Sequence, residues 1–267
     1  MSPRERISHA IRTAASQGEP ALVAYLTAGY PKREKFREHV RALASAADVV
    51  EVGVPFTDPM ADGVTIQRAS LAALAQGVSL KWILAELAAM RDIKAPLILM
   101  SYLNPLLAFG LGHLAQAAAD ARVAGFIVPD LPLDESQELR DALDDKEIAL
   151  VQMVTPVTEP QRLKQLCAGS QGFVYAVTMT GTTGKSVVVP DEVISYLDNV
   201  QANAKVPVCA GFGIRNRAQV ERLRGHVDGV VIGSALVEVL ERGEDPTTWL
   251  QGLRGGRGAV SAPGKIL

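Results

Sequence analysis

The chain has 267 residues, 48% of them hydrophobic and 21% charged, which is too apolar for a disordered polymer and long enough to bury a large core. Its 27 basic and 29 acidic residues leave a formal charge of −2, against the basic surface that nucleic acid or an anionic membrane selects. Two cysteines, Cys167 and Cys209, each inside an apolar run, exclude a disulfide framework and read as buried fillers in a reducing compartment.

In chain order, Met1-Ser2-Pro3-Arg4-Glu5-Arg6 leads into no hydrophobic signal region, and a helix is expected at about 3–16. Strands are expected over 21–26, 48–52, 96–100, 125–128, 149–153, 172–177, 206–210 and 229–232. Most are continuous runs of Val, Ile, Leu and Ala, the pattern of parallel strands covered on both faces. Helical spacing fills the intervals. Leu80, Ile83, Leu84, Leu87 and Met90 form one apolar stripe behind a Ser79 cap. Thr158 and Pro160 open a helix carrying Leu163, Leu166 and Cys167, and Ile194, Leu197 and Val200 repeat the spacing. No apolar run approaches the roughly 18–20 residues of a membrane span, so a cytoplasmic protein is expected.

Eight such units at about 33 residues each come close to the roughly 250 residues of a (β/α)8 barrel. No linker, low-complexity segment or charge block divides the chain. A doubly wound open sheet is the rival architecture; the expectation is an α/β fold, a single-domain (β/α)8 TIM barrel over 1–267. On that fold, chemistry sits at the C-terminal ends of the strands and in the loops that follow.

Glu51 is a carboxylate inside the second apolar strand, near its C-terminal end, and alternation puts it on one face with Val49 and Gly53. If that face is the barrel interior, desolvation raises its pKa and suits it to general acid and then general base work. The alternative is a structural charge paired with a buried Lys or Arg. Asp62, followed by Gly63, reads by itself as a cap for a helix beginning near Thr65. The loop between them carries Pro55 and Pro59, which restrict the backbone around Phe56 and Asp58.

Gly211-Phe212-Gly213 follows the seventh strand and Gly233-Ser234 the eighth. Each glycine alone makes a tight turn; together, after adjacent strands, they read as a phosphate cradle with a helix opening at Ser234. Two look-alikes fail. Gly181-Thr182-Thr183-Gly184-Lys185-Ser186 has Met179 where a nucleotide P-loop needs its first glycine, and Asn216 replaces the third glycine of a dinucleotide fingerprint. The four histidines, at 9, 39, 113 and 226, show no metal-ligand spacing. Neither ATP, NAD nor a metal is indicated. The Gly/Thr-rich stretch 178–190 reads equally as a mobile lid or a surface loop. Tyr175, near the end of the sixth strand, and Tyr102 with Asn104, after the third, stay open between core and ligand contact, and Asn104-Pro105 reads as a turn.

The run from Glu51 to Gly63, continuing to Thr65-Ile66-Gln67, resembles the signature of the tryptophan synthase α subunit family. The resemblance extends along nearly the whole chain, through 24–31, 100–105, 128–132, Gly181 to Gly184, Gly211-Phe212-Gly213 and Gly233-Ser234. It implies cofactor-free retro-aldol cleavage of indole-3-glycerol phosphate to indole and glyceraldehyde 3-phosphate. It implies that Glu51 is the acid and base, Asp62 the partner of the indole N–H, and Tyr175 the residue positioning Glu51. Tyr25, Met100, Tyr102, Ile127, Thr183, Phe212 and Ile232 are implied to line the substrate pocket. Gly184, Gly213, Gly233 and Ser234 are implied to bind phosphate, with Thr183 and Gly184 on a closing lid. A β subunit that carries pyridoxal phosphate is the implied partner, in an αββα tetramer, meeting Pro55, Phe56, Asp58, Pro59, Asn104 and Pro132. The chain departs from the family's usual pattern at Ala24, Val64, Leu133, Thr182, Lys185 and Arg215-Asn216-Arg217, none of which removes an implied catalytic residue. A stand-alone lyase of the same ancestry and a non-catalytic subunit that activates a β partner are the competing readings.

Overall fold

Side chains alternate across a strand, so closing a parallel sheet on itself sorts every second residue into a lumen and the rest toward the surrounding helices. The computed structural model describes residues 1–178, 189–211 and 213–254, and in it eight parallel strands close in sequence order. The expected (β/α)8 barrel is therefore the fold, and the open-sheet alternative is excluded.

The chain begins with α1 (Pro3–Ser16), β1 (Ala21–Thr27), α2 (Phe36–Ala46) and β2 (Val49–Gly53). A pair of helices, α3 (Val64–Ala75) and α4 (Leu80–Ala88), precedes β3 (Leu97–Met100), and a second pair, α5 (Leu103–Phe109) and α6 (Leu111–Asp120), precedes β4 (Val123–Ile127). Single helices then alternate with strands: α7 (Gln137–Asp144), β5 (Ala149–Val154), α8 (Pro160–Gly169), β6 (Val174–Val177), α9 (Asp191–Asn203), β7 (Val208–Gly211), α10 (Arg217–Leu223) and β8 (Gly229–Ile232). The described chain ends with α11 (Ser234–Glu241) and α12 (Pro246–Leu253).

The local signals act as their chemistry requires. The Ser79 hydroxyl accepts the Trp82 N–H at 3.3 Å and starts α4, while Met90, at the end of the same stripe, lies past the helix yet is buried. Pro160 is the first residue of α8, where its missing N–H costs nothing. Asn104-Pro105 is not the expected turn: both residues lie in the first turn of α5, whose leading N–H, from Leu103, donates to Asp130 at 2.9 Å. A proline there removes a donor that has no helical acceptor.

Two apolar shells result. Val23, Val49, Ile98, Ile127, Val151, Phe173, Tyr175, Cys209 and Val231 fill the lumen, and Ile7, Ile11 and Ala14 of α1 close it at the N-terminal ends of the strands. Leu22, Ala24, Leu26, Val50, Val52, Phe126, Val174, Ala176, Val230 and Ile232 face outward and pack under the helices. β8 pairs back onto β1, Val231 opposite Val23 and Ile232 opposite Ala24. Among the described residues no single helix is long and apolar enough to cross a membrane.

Candidate active site

The register fixes which groups share the mouth of the barrel. Glu51 lies opposite Tyr25 of β1 on one side and Ile98 of β3 on the other. Its side chain is 1% exposed, and Oε2 has no hydrogen-bond partner among the described residues. Burial first, and then the charge of Asp62, push its pKa from 4.5 up to about 8. Among the described residues no basic side chain contributes, and none of them forms the structural ion pair weighed as the alternative role for Glu51.

Asp62 reaches the same space from the loop between β2 and α3. The helix is capped at Gly63 with no side-chain bond, which leaves the Asp62 carboxyl free of the capping role its sequence suggested. Instead the loop is tied to the start of α5. The Tyr102 hydroxyl accepts the Ala61 N–H at 2.8 Å and donates to the Asp62 carboxyl, while its ring stacks on Phe56 with centroids 5.2 Å apart. Gln67 Nε2 also donates to the Asp62 carbonyl at 2.8 Å. Burial raises the Asp62 pKa to about 6, with the Tyr102 hydrogen bond pulling the other way.

Two buried tyrosines complete the mouth. The Tyr25 hydroxyl lies 3.2 Å from Thr27 Oγ1, and the Tyr175 ring, from β6, sits beside Cys209 of β7 in the register. Burial raises both phenols well above their usual value, and the charges of Glu51 and Asp62 raise them further, which places both acids near both rings. Each ring lies across the end of the adjacent strand. A Cβ on Gly53 would overlap the Tyr25 hydroxyl, and a Cβ on Gly211 would overlap that of Tyr175, so these strands end in glycine for room. Sequence reasoning did not single out Gly53, Gly211 or Thr27 for this task.

Of the remaining expected pocket residues, Ile127 is buried in the lumen and half-buried Met100 bridges the lumen cluster to one containing Tyr25 and Ile66. Ile232 is a correction: it belongs to the outward shell, and its neighbour Val231 faces the lumen. Thr183, Gly184 and Phe212, with most of 178–190, lie outside the described residues. Gly213 has φ +86°, and Gly233 precedes Ser234 at the start of α11 without any side-chain cap. The first N–H groups of such a helix lack internal acceptors and attract anions.

Around the mouth, Asp58, Asn104 and Pro132 are exposed and Phe56 is half-buried, whereas Pro55 and Pro59 are buried in their own chain and shape the loop from within. Apolar side chains flank this rim: Met60 is 92% exposed, Val64 74% and Leu107 49%. Among the described residues no cluster of three His, Cys, Asp or Glu side chains could hold a metal ion.

Comparison with known proteins bears on this geometry. The sequence model of the family described as tryptophan synthase alpha chain matches residues 11–254. The tryptophan synthase alpha chain of Nitratidesulfovibrio vulgaris (Hildenborough) is 43% identical over 248 residues, covering 92% of this chain and 96% of that one. That of Carboxydothermus hydrogenoformans is 43% identical over 238 residues, covering 88% and 89%. Among solved structures, ligand-free tryptophan synthase from M. tuberculosis superposes with a TM-score of 0.84 at 32% identity, covering 95% of this chain and 98% of that one. The alpha subunit from Legionella pneumophila str. Paris gives 0.82 at 30% identity, covering 93% and 96%.

Proposed function

The chain belongs to the tryptophan synthase alpha chain family and cleaves indole-3-glycerol phosphate to indole and glyceraldehyde 3-phosphate, and we propose that Glu51 and Asp62 perform the proton chemistry. The observation that carries this assignment is that two neighbouring acids sit in different surroundings. Glu51 is 1% exposed with no partner for Oε2 among the described residues, and Asp62 is held by the Tyr102 hydroxyl, which raises Glu51 to about 8 and Asp62 only to about 6. At neutral pH one has a proton to give and the other is a carboxylate, the division of labour that paired acids take when their surroundings differ.

Glu51 donates its proton to C3 of the indole. The positive charge that this places on the ring is stabilised by the Asp62 carboxylate, which accepts the ring N–H. Glu51 is now a carboxylate in an apolar pocket, a strong base, and takes the proton of the hydroxyl next to the scissile bond. That C–O becomes the aldehyde, the electrons of the broken C–C bond return to the ring, and Glu51 ends as it began. No proton is gained or lost overall, and the step needs no cofactor from this chain. Tyr175 positions Glu51 and the substrate. Tyr25, Met100, Ile127 and Val231 offer apolar walls for the flat ring, with Tyr102, Thr183 and Phe212 assigned to the same pocket on the family resemblance. Gly213, Gly233 and Ser234, together with Gly184, bind the phosphate.

The exposed apolar rim around Met60, with Phe56, Asp58, Asn104 and Pro132, supports docking of a β subunit, with Pro55 and Pro59 setting the loop that meets it. Pyridoxal phosphate belongs to that partner, the assembly is an αββα tetramer, and the location is cytoplasmic. Glu51→Gln and Asp62→Asn test the catalytic assignment by indole release, measured with and without the β subunit. Each is expected to lower kcat by about a hundredfold or more with the fold retained. Near-normal turnover in either folded variant would overturn its role.

A further inference from the structure

Gly213 lies outside strand and helix, in the short connection between β7 and α10. An anion cradle binds well only if its N–H groups are held in place beforehand, because ordering them on binding costs affinity. Among the described residues, one side chain does the holding. Gln219, in α10 and 8% exposed, uses both ends of its amide on this connection. Its Oε1 accepts the N–H of Arg215 at 2.8 Å, and its Nε2 donates to the carbonyl of Gly213 at 3.1 Å. Its own N–H donates to Oδ1 of Asn216, the helix cap, at 3.0 Å, which fixes where the amide begins. The opposite amide orientation would set donor against donor and acceptor against acceptor, so the arrangement admits one assignment. The Arg215 guanidinium in turn pairs with Glu238 of α11, the helix that Ser234 opens. The loop that Gln219 fixes therefore reaches across to the other half of the cradle.

We propose that Gln219 is a positioning residue for substrate binding, holding Gly213 and Arg215 so that the β7 side of the phosphate cradle is formed before the phosphate arrives. This rests on the reading of Gly213, Gly233 and Ser234 as the phosphate site. Gln219 acts through the loop and not on the reacting atoms, so its loss weakens binding of the phosphate and leaves the acids untouched.

The test compares the full-length wild type with Gln219→Met, Gln219→Glu and Ser234→Asp, reading KM and kcat for indole-3-glycerol phosphate and the Kd of inorganic phosphate. Gln219→Met keeps the length of the side chain and loses both hydrogen bonds. It is expected to raise KM and the phosphate Kd about tenfold, as for a buried carbonyl and N–H left unpaired, with kcat within about twofold and the pH profile unmoved. Gln219→Glu keeps the acceptor for Arg215, turns the donor to Gly213 into a second acceptor, and is expected to shift the same constants by at least as much. It also serves should the methionine variant fail to fold. Ser234→Asp, which sets a negative charge at the cradle independently of Gln219, reports on the underlying site. If it raises KM while the Gln219 variants do not, the positioning role is overturned and the phosphate site stands. Unchanged constants in all three overturn the site and the role together. A fall in kcat at unchanged KM in the Gln219 variants would mark a merely structural residue and also overturn the proposal.

Discussion

At the scale of single residues, the chemistry depends on what surrounds two carboxyls. Both influences on Glu51, burial and the neighbouring Asp62 charge, favour its neutral form, whereas Asp62 has the Tyr102 hydroxyl to support its ionised form. Between about 6 and about 8 the pair holds one proton, on Glu51. The expected kcat/KM therefore rises as the pH passes about 6, where Asp62 ionises, and falls above about 8, where free Glu51 has lost the proton it must donate. Asp62→Asn should remove the acid limb from whatever activity remains. Titration of kcat/KM for both proteins checks this; a level profile across both limbs would mean that these groups do not set the rate. Glu51 was legible in the sequence because a lone charge inside Val49-Val50-Glu51-Val52 has a fixed parity and no good reason to face lipid-like packing unless it is used. Asp62 was legible only through the family signature, since Asp-Gly before a helix serves equally as a cap. Ile232 was assigned to the pocket by the family resemblance alone, and nothing in the sequence of Gly229–Ile232, apolar throughout and buried on both faces, could check it. Such a strand carries no polar alternation to reveal its parity, and pairing with outward-facing Ala24 decides it. Gln219 left no signal at all, because its task is to satisfy two irregular backbone groups that only the folded loop brings to it.

At the scale of elements, apolar runs announced all eight strands, but their ends shifted by up to two residues, as at 206–210 against Val208–Gly211. Pairing with neighbours sets where a strand stops, and the neighbours are distant in sequence. The glycines at those ends follow the same logic. Nothing local in Glu51-Val52-Gly53-Val54 requires a glycine; the Tyr25 ring, arriving from the preceding strand, does. Gly53→Ala is therefore expected to displace Tyr25, costing about 1–3 kcal/mol of stability through overpacking. The same displacement disturbs a wall of the substrate pocket and should raise KM. Gly63→Ala is the matched control: a Cβ there meets nothing within 4 Å and the backbone has an ordinary φ of −72°, so its stability should stay within about 0.5 kcal/mol of the wild type. Thermal unfolding of the two variants side by side distinguishes a steric requirement at position 53 from a general aversion to alanine in this loop.

At the scale of the molecule, the barrel separates its stability from its chemistry along one axis. Closure itself was not written in any local pattern, since strands buried on both faces read alike in an open sheet and a barrel; it is the β8 to β1 pairing that makes the lumen. The N-terminal end of that lumen is sealed by Ile7 and Ile11 of α1, both fully buried against lumen side chains, while the opposite end holds Glu51, whose Oε2 has no partner among the described residues. Substitutions at the two ends should therefore have opposite signatures. Ile11→Ala leaves a cavity in the seal and is expected to lower stability by about 2–5 kcal/mol at every pH, with kcat unchanged below the melting transition. Glu51→Gln, expected to lower kcat by about a hundredfold or more, is yet expected to be more stable than the wild type in alkali. The folded protein holds the Glu51 proton up to about 8, whereas the unfolded chain releases it near 4.5. Below 4.5 both states of the wild type are protonated there, and the glutamine brings no linked advantage. As the pH rises through this window the wild-type fold loses stability by keeping a proton that the unfolded chain gives up, and the gap to the glutamine variant widens until it levels above about 8, at no more than about 5 kcal/mol. Unfolding free energies of the two proteins measured across that window decide the matter: a difference that does not grow with pH would mean that Glu51 is already ionised in the fold, and that the proton for C3 must come from elsewhere.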